Sequence, residues 1–530
     1  MKKILVLIFC LALLLSTCVG CGIFGGKDEE TESVTETDVV DTESETESET
    51  ETETETKTET ETETETETET ETETETEEDT DDQGFVKDDI NEEVKFNGED
   101  IVIMAWNKAE YDFTADATSK NIIAKSTYQR NAAVQVRLNV KLNFDMSYEG
   151  DNGDRANYIA KVENNLMSGI KYDIIACYSQ CSANFAMDSM LVDLKEYGDI
   201  INLTKPWWSP DMVESTVVND KLYFTSGAIS TENLLQTFVL AVNMNKVASL
   251  GLDDPRQLAK DGNWTFEKFS QMCKGVYANL NEEDVNKDIG DEFGFTSADL
   301  VMGDGFFTGV GYKYIVPDAE GKLVLADTFT GNETATLIDE LMSMFNTNDY
   351  YYGAGFTTFK EGRSLFYATN FWQLLKEIAN LGEFSYGYVP FPKYDEYQER
   401  YYSTSGFPYT MWSITTVVDD ETAERAAYVM EALGSEAYRK VQPQVHNSIK
   451  TRVGDDVINK DMFEMIIESK VYDMGRIYHN VFDWEDAPVA LFRMRLYDGY
   501  GEGQGWSSIL AEHAYQIELG ISSINTNFGY

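Results

Sequence analysis

The order of strands and helices between residues 98 and 178 limits the fold most strongly. Apolar runs over residues 101–106 and 172–177, and alternation over 138–144, predict three strands. Helical patterns over residues 119–134 and after Asp154 separate these strands. A strand–helix–strand–helix–strand order predicts an α/β fold with a parallel sheet and helices on both faces.

Aromatic and amide side chains follow two of these strands. In parallel sheets, ligands bind beyond the carboxyl ends of the strands. Trp106 and Asn107 follow the first strand, and Tyr178 and Gln180 follow the third. Sugars present apolar C–H faces and a rim of hydroxyls, which aromatic rings and planar amides can hold. We expect these four residues at the binding site, although Trp106 and Tyr178 would equally suit the core.

A Thr-Glu tract over residues 28–82 cannot form a packed domain. It contains 28 acidic residues and one base, Lys57, and therefore carries half of the net charge of −54. No apolar residue follows Val40 within it, so nothing can be buried to offset chain entropy, and like charges repel. The tract is predicted to be a disordered, extended acidic tether. The alternative is a solvated tail without a spacing role.

The remaining composition excludes several kinds of site. The negative charge argues against nucleic acid, which needs a basic surface. The chain has 3 histidines, and outside the first 21 residues only Cys177, Cys181 and Cys273, so no metal site or cofactor is expected. Residues 284–295 resemble a calcium loop, but Ile289 and Phe295 stand where the motif needs Gly and Glu, which favours a solvated loop.

The N-terminus predicts export. Lys2 and Lys3 precede an apolar run over residues 4–15, too short to span a bilayer. Gly20-Cys21 resembles the end of a bacterial lipoprotein signal peptide, which implies lipidation at Cys21, although Cys18 stands where that motif prefers Leu or Val. A cleaved secretory signal with incidental cysteines is the alternative.

A family resemblance covers most of residues 98–530. Each motif alone is weak, but together they follow the order found in the extracellular solute-binding proteins of ABC importers, family 1, the carbohydrate-binding group that includes maltose-binding protein. The matching segments are residues 172–175, 191–194, 219–224, 239–246, 264–269, 359–366 and 386–393.

The resemblance implies a two-lobe periplasmic-binding-protein-like fold of type II, with lobes joined by hinge crossings. Residues 1–21 would be the signal peptide and 22–95 the tether. Lobe 1 would comprise residues 98–232 and 393–435, and lobe 2 residues 233–392 and 436–530. Ligand would close the cleft between the lobes.

The resemblance also implies site residues. Glu232 stands where the family often has a ligand-facing acid, although a solvated loop acid is an equal reading, and Asn370 and Trp372 stand where it commonly has a stacking aromatic. Trp207 and Trp208 are expected to pack beneath the cleft. Glu431 and Glu436 are expected on a solvated helix face.

The resemblance therefore predicts a non-enzyme, held by its lipid on the extracellular face of the cell membrane. It would act as a monomer that captures a small carbohydrate and delivers it to the membrane subunits of an ABC importer. The alternatives are a surface glycoside hydrolase or lyase, and a binding protein for another solute such as a peptide. A hydrolase would need two carboxylates about 5–10 Å apart.

Overall fold

The computed structural model describes residues 80–530, except 110, 152, 282–285, 378–383, 453–455, 498–499 and 502. The signal peptide, Cys21 and the tether up to residue 79 lie outside the described residues, as does Asp284 of the calcium-like loop. Residues 80–95 pack on the first lobe, where Ile90 is buried and Asp88 forms an ion pair with Arg137.

The strands, in chain order, are β1 (Glu99–Trp106), β2 (Val140–Tyr148), β3 (Ile174–Tyr178), β4 (Phe238–Asn243), β5 (Phe293–Ser297), β6 (Ile315–Pro317), β7 (Leu323–Leu325), β8 (Tyr350–Tyr352), β9 (Ser364–Asn370), β10 (Tyr386–Val389) and β11 (Thr410–Ile414).

The helices are α1 (Ile122–Leu138), α2 (Arg155–Met167), α3 (Ser179–Met187), α4 (Pro210–Thr216), α5 (Thr231–Leu235), α6 (Met244–Ser249), α7 (Pro255–Lys260), α8 (Phe266–Cys273), α9 (Gly303–Gly309), α10 (Asp327–Thr330), α11 (Asn332–Phe345), α12 (Gly355–Lys360), α13 (Phe371–Glu377), α14 (Asp420–Lys440), α15 (Gln442–Arg452), α16 (Val457–Glu468), α17 (Met474–Ile477), α18 (Pro488–Tyr497) and α19 (Trp506–Phe528). Short 3-10 turns cover Leu194–Tyr197, Leu300–Met302, His479–Val481 and Trp484–Asp486.

The first sheet confirms the predicted order of strands and helices. Its strand order is β11-β3-β1-β2, with β1 parallel to both β2 and β3. The start of α1 shows why the helix begins where it does, because the side chain of Asn121 accepts hydrogen bonds from the N–H groups of Ile123 and Ala124. The sheet is not wholly parallel, because β11 pairs antiparallel with β3. Strand β11 comes late in the chain, after all the strands of the second sheet.

The second sheet forms the other lobe. Its strand order is β10-β4-β9-β5-β8, in which β5 is parallel to β8 and β9, whereas β4 is antiparallel to β9 and β10. Helix α8 begins at Phe266 because the side chain of Thr265 caps it by accepting a hydrogen bond from the N–H of Lys268. The chain thus has the predicted two-lobe α/β fold.

Three chain segments run side by side between the sheets and form the hinge: residues 225–238, 401–410 and 469–473. The N–H of Phe238 donates to the carbonyl of Thr404 at 2.8 Å, and the N–H of Val471 donates to the carbonyl of Ser403 at 2.8 Å. Since these bonds join the segments to one another, the hinge is a hydrogen-bonded ribbon and not three independent linkers.

The C-terminal region contacts both lobes. Helix α14 packs on α1 of the first lobe, and α16 packs on α7 and β10 of the second. The last helix touches each lobe, since the Asn525 side chain donates to the carbonyl of Leu323 and the Asn527 side chain to that of Ala186, both at 2.9 Å. The proposed boundary assigned residues 436–530 to lobe 2 alone.

Several smaller predictions have clear outcomes. Trp207 and Trp208 are buried as expected, but Glu431 is fully buried and not on a solvated face. Its carboxylate accepts a hydrogen bond from Nε1 of Trp208 at 2.9 Å, which the helical spacing of α14 alone could not reveal.

The three cysteines of the folded part, Cys177, Cys181 and Cys273, are buried and unpaired. Across the described ranges, no group of His, Cys, Asp and Glu side chains is arranged to hold a metal ion. No helix in that part of the chain has the length and apolarity needed to cross a membrane.

Candidate functional site

A cavity of about 440 Å³ lies between the two sheets beside the hinge; we call it the cleft cavity. It opens where strands of both lobes end, since Tyr178 is the last residue of β3, Asn370 is the last of β9, and Asp299 follows β5 by two residues. This position agrees with the rule that ligands bind beyond the carboxyl ends of strands. Its walls are formed by Arg155, Tyr178, Gln180, Gln236, Phe238, residues 299–302, Asn370, residues 406–408, His479, Trp484 and Arg493.

Three of the predicted site residues line the cleft cavity: Tyr178, Gln180 and Asn370. Tyr178 and Gln180 come from the first lobe and Asn370 from the second, so the cavity joins residues that are almost 200 positions apart. Burial raises the pKa of Tyr178 well above its usual value, so its hydroxyl stays protonated and can donate.

Amide side chains on one wall are held by hydrogen bonds to one another. Nδ2 of Asn370 donates to Oε1 of Gln236 at 2.9 Å, and Nε2 of Gln236 donates to Oε2 of Glu232 at 3.1 Å. Glu232 is buried and lies one helical turn behind the wall, so it orients Gln236 and does not itself line the cavity. This chain of bonds fixes which groups Asn370 and Gln236 present to a ligand.

Trp106 and Asn107 lie outside the lining of the cleft cavity. Trp106 is buried, its Nε1 donates to Oγ1 of Thr410 at 3.0 Å, and its ring packs edge-on against Tyr178 at 5.4 Å. It therefore supports the Tyr178 wall from behind. Asn107 is exposed, and its Nδ2 donates to the carbonyl of Met146 at 3.3 Å.

Trp372 is also not part of the lining. It lies on α13 and is half-buried. The ammonium group of Lys376, one turn further on, lies 3.8 Å from the centre of its ring, so one face of this ring is covered by a cation.

One aromatic residue of the cavity wall, Trp484 in the C-terminal region, was not among the site residues predicted from the sequence. Trp484 lines the cavity and is 49% exposed, which leaves ring surface available to a ligand. His479 packs edge-on against it at 5.1 Å and parallel to Phe407 at 6.1 Å. The only sequence signal was the aromatic-rich tail after residue 470, which the family motifs do not cover.

Charged side chains surround this aromatic group. Arg155 donates to Oε1 of Gln180. Arg493 donates from Nε to Oδ1 of buried Asp304 at 2.7 Å, and Arg476 contacts Oδ2 of the same carboxylate at 3.1 Å. Two guanidinium groups therefore share one carboxylate beneath the cavity.

This arrangement shifts the pKa values of His479 and Asp299. Burial, together with Arg493, Arg155 and Arg476, lowers the pKa of His479 to about 3, so its ring is neutral. Burial raises the pKa of Asp299, the one carboxylate among the described lining residues of the cleft cavity. The site offers aromatic surface, amides, guanidinium groups and a single acid, which suits binding of a hydroxyl-rich molecule.

Two other cavities differ from this one. A cavity of about 400 Å³, the hinge-side cavity, is lined by Trp207, Trp208, Lys470 and Tyr472 together with hinge residues. Lys470 donates to the backbone and side-chain oxygens of Asn233, and burial lowers its pKa well below the usual value. A larger cavity of about 530 Å³ runs along α19 and β7, away from the strand ends. Only the cleft cavity, of these three, lies at strand ends of both lobes.

Of three comparisons with known proteins, only the one with solved structures found matches, and these agree with the fold. No protein-family model matches the sequence, and no curated protein matches it. Among solved structures, a cyclo/maltodextrin-binding protein complexed with maltotetraose matches with a TM-score of 0.52 and 12% identity, covering 81% of this chain and 98% of its own.

Two further structures match over a similar range. An ABC substrate-binding protein from Listeria monocytogenes in complex with cycloalternan has a TM-score of 0.51 and 12% identity, covering 82% of this chain and all of its own. A sugar transporter protein from Rhizobium etli in an open conformation has a TM-score of 0.50 and 12% identity, covering 81% of this chain and 98% of its own. The chain therefore has the fold of the substrate-binding proteins of ABC sugar transporters.

Proposed function

We propose that this protein is an extracellular solute-binding protein that captures a carbohydrate between its lobes and delivers it to an ABC importer. The observation that carries the proposal is the cleft cavity, because it joins an exposed Trp484 ring to the amides of Asn370, Gln236 and Gln180 at the hinge. A ligand held by both lobes favours the closed state by its extra contacts there.

The lining argues for binding over hydrolysis. Glycoside hydrolysis uses two carboxyl groups on either side of the scissile bond. Among the described lining residues only Asp299 carries a carboxyl group, and Glu232 is turned to Gln236 behind the wall. A second acid with access to the sugar would be needed for cleavage. The binding role also agrees with the nature of the structural neighbours.

The proposed location is supported by the N-terminal sequence alone. A lipid at Cys21 followed by an acidic tether would hold the two lobes outside the cell and away from the membrane surface. Two or three acyl chains anchor far more firmly than one. The importer subunits would then receive the sugar from a monomer that stays close to them.

Thermal unfolding with a panel of saccharides, peptides and polyamines tests this function. A ligand that binds the folded state raises the melting temperature as its free concentration exceeds the dissociation constant. We expect a saccharide to do so, and the sugar to be recovered unchanged by chromatography. Stabilisation by peptides alone would contradict the carbohydrate assignment, and shortened sugar would contradict a binding role.

The matched control is a pair of tryptophan variants. Trp484→Ala should remove the gain from saccharide, whereas Trp372→Ala, which alters a ring outside the cavity, should leave it. Equal losses in both variants would indicate a general effect on folding and would not support the cleft cavity as the site.

A further inference from the structure

We infer that His513 is a positioning residue of the binding site, because it holds the short turn that carries Trp484 at the wall of the cleft cavity. This inference rests on the proposed function and adds how the aromatic surface of that same site is kept in place. A ring that is 49% exposed is only partly held by its own packing, so its position depends on the backbone that carries it.

The turn that carries this ring is short and lies at the surface. Trp484 begins the 3-10 turn Trp484–Asp486, in which no residue is buried. The N–H groups of Asp486 and Ala487 donate to the carbonyl of Asp483 at 2.9 and 3.0 Å. These local bonds set the shape of the turn, whereas its attachment to the rest of the protein depends on side-chain contacts.

The attachment after Trp484 is a hydrogen bond to helix α19. Nδ1 of His513 lies 2.6 Å from Oδ1 of Asp486, and since a carboxylate only accepts, Nδ1 carries the proton that is donated. Nε2 of the same ring lies 2.8 Å from the hydroxyl oxygen of Tyr500, so both ring nitrogens have partners. The side chains of His513 and Asp486 are 11% and 17% exposed, which shields their bond from water.

The attachment before Trp484 is an apolar contact with the same helix. Phe482 is buried, and its ring lies so close to Gly520 of α19 that any side chain at Gly520 would collide with it. His513 and Gly520 are about two helical turns apart, which places both on one face of α19. That face therefore contacts the chain on both sides of Trp484.

Helix α19 is itself held at both ends. At its start, Nε1 of Trp506 donates to the carbonyl of Phe329 at 2.8 Å. Near its end, the side chains of Asn525 and Asn527 donate to carbonyl groups of the two lobes. A support fixed in this way keeps the Trp484 ring in place before a sugar arrives, so binding does not have to pay for ordering the turn.

Calorimetric titration of the full chain tests the inference, with di- to tetrasaccharides of glucose, galactose, mannose and xylose as probes. His513→Ala should weaken binding of the tightest probe by ~3- to 10-fold, since the turn must then be ordered on binding. His513→Asn keeps a donor bonded to Cγ, where histidine has Nδ1, and should restore most of the affinity. His513→Gln places its donor one atom farther out, towards Tyr500, and should not. Tyr515→Ala, at a 74% exposed position of the same helix, is the matched control and should bind as the wild type does.

A double-mutant cycle separates positioning from general stability. If His513 acts through Trp484, His513→Ala should not weaken binding further in the Trp484→Ala background. Asp486→Ala removes the same hydrogen bond from the side of the turn and should reproduce the loss of affinity. It also keeps the inference testable if His513→Ala lowers the melting temperature below the temperature of the titration.

Each other outcome overturns the inference in a distinguishable way. Full affinity in His513→Ala and Asp486→Ala, equal losses with and without the Trp484 ring, or rescue by Gln and not by Asn would each overturn the role of His513 and leave the carbohydrate function standing. Absence of binding by every saccharide would overturn both.

Discussion

The cleft cavity and the hinge-side cavity have similar volumes, about 440 and 400 Å³, but they differ in how far their tryptophan rings are exposed. Both contain tryptophan, amide and cationic side chains. In the cleft cavity Trp484 is 49% exposed, whereas in the hinge-side cavity Trp207 and Trp208 are at most 1% exposed. Composition alone therefore does not identify a ligand site. The exposed surface of the aromatic ring and the position at strand ends are the features on which the proposed site in the cleft cavity rests.

The largest expected effect concerns the hinge-side tryptophans. Trp207→Ala removes a fully buried ring and should lower the free energy of unfolding by about 3–5 kcal/mol. Urea unfolding measures this. Trp484→Ala removes a half-exposed ring and should lower the free energy of unfolding much less. Equal losses in the two variants would remove the distinction between a structural and a ligand-facing aromatic group.

The second effect is a pH dependence of stability that arises at Glu431, whose carboxylate contacts Trp208. Burial raises the pKa of Glu431 to about 8, whereas an unfolded glutamate titrates near ~4.3. Because the folded state binds this proton more tightly, the stabilisation is fully present below the unfolded value and is lost as the pH rises through about 8.

Glu431→Gln, which keeps an acceptor for Trp208 but cannot ionise, should flatten that loss by an amount on the order of a few kcal/mol. Urea unfolding between about pH 5 and 8 measures it. Glu424→Gln, an exposed position on the same helix, is the control and should follow the wild type. A variant curve parallel to the wild type would show that Glu431 is ionised in the folded protein.

The third effect concerns ligand affinity. Trp484→Ala should weaken binding of the most tightly bound saccharide by ~10- to 100-fold, since a stacking aromatic contributes on the order of 1–3 kcal/mol. Calorimetric titration measures this beside Trp372→Ala, for which unchanged affinity is expected. If Trp372→Ala weakens binding and Trp484→Ala does not, the stacking surface lies on α13 and not in the C-terminal region.

The smallest effect concerns the amides. Asn370→Ala removes the donor to Gln236 and the acceptor for the N–H of Gln373, and we expect saccharide affinity to fall by about threefold to tenfold. Asn107→Ala changes an exposed amide outside the cavity and should leave affinity as it was. Similar losses in the two variants would contradict the assigned wall.

The sequence predicted individual strands and helices better than it predicted which segments meet at the cleft cavity. Strands β1, β2 and β3 followed from local hydrophobic patterns in the sequence. The antiparallel strand β11 and the wall of His479, Trp484 and Arg493 come from segments hundreds of residues from the strand ends that they join. A hydrophobic pattern in the sequence does not indicate such a contact, because tertiary packing alone brings these segments together.

Site residues show the same division. Tyr178 was expected at the site because it follows a strand, which is a local property, whereas Asn370 was expected only from the family resemblance; both line the cleft cavity. Trp106 also ends a strand, yet it packs behind Tyr178, since the side chain that faces the cavity depends on the strand opposite. Glu431 was expected on a solvated helix face, and its partner Trp208 lies 223 positions away along the chain.

A crystal structure of the protein grown with its most strongly stabilising saccharide tests the central claim most directly. The claim predicts one intact sugar in the cleft cavity, in contact with Trp484 from the C-terminal region and with side chains of both lobes. A sugar seated in the hinge-side cavity, or one cleaved within the cleft, would contradict it.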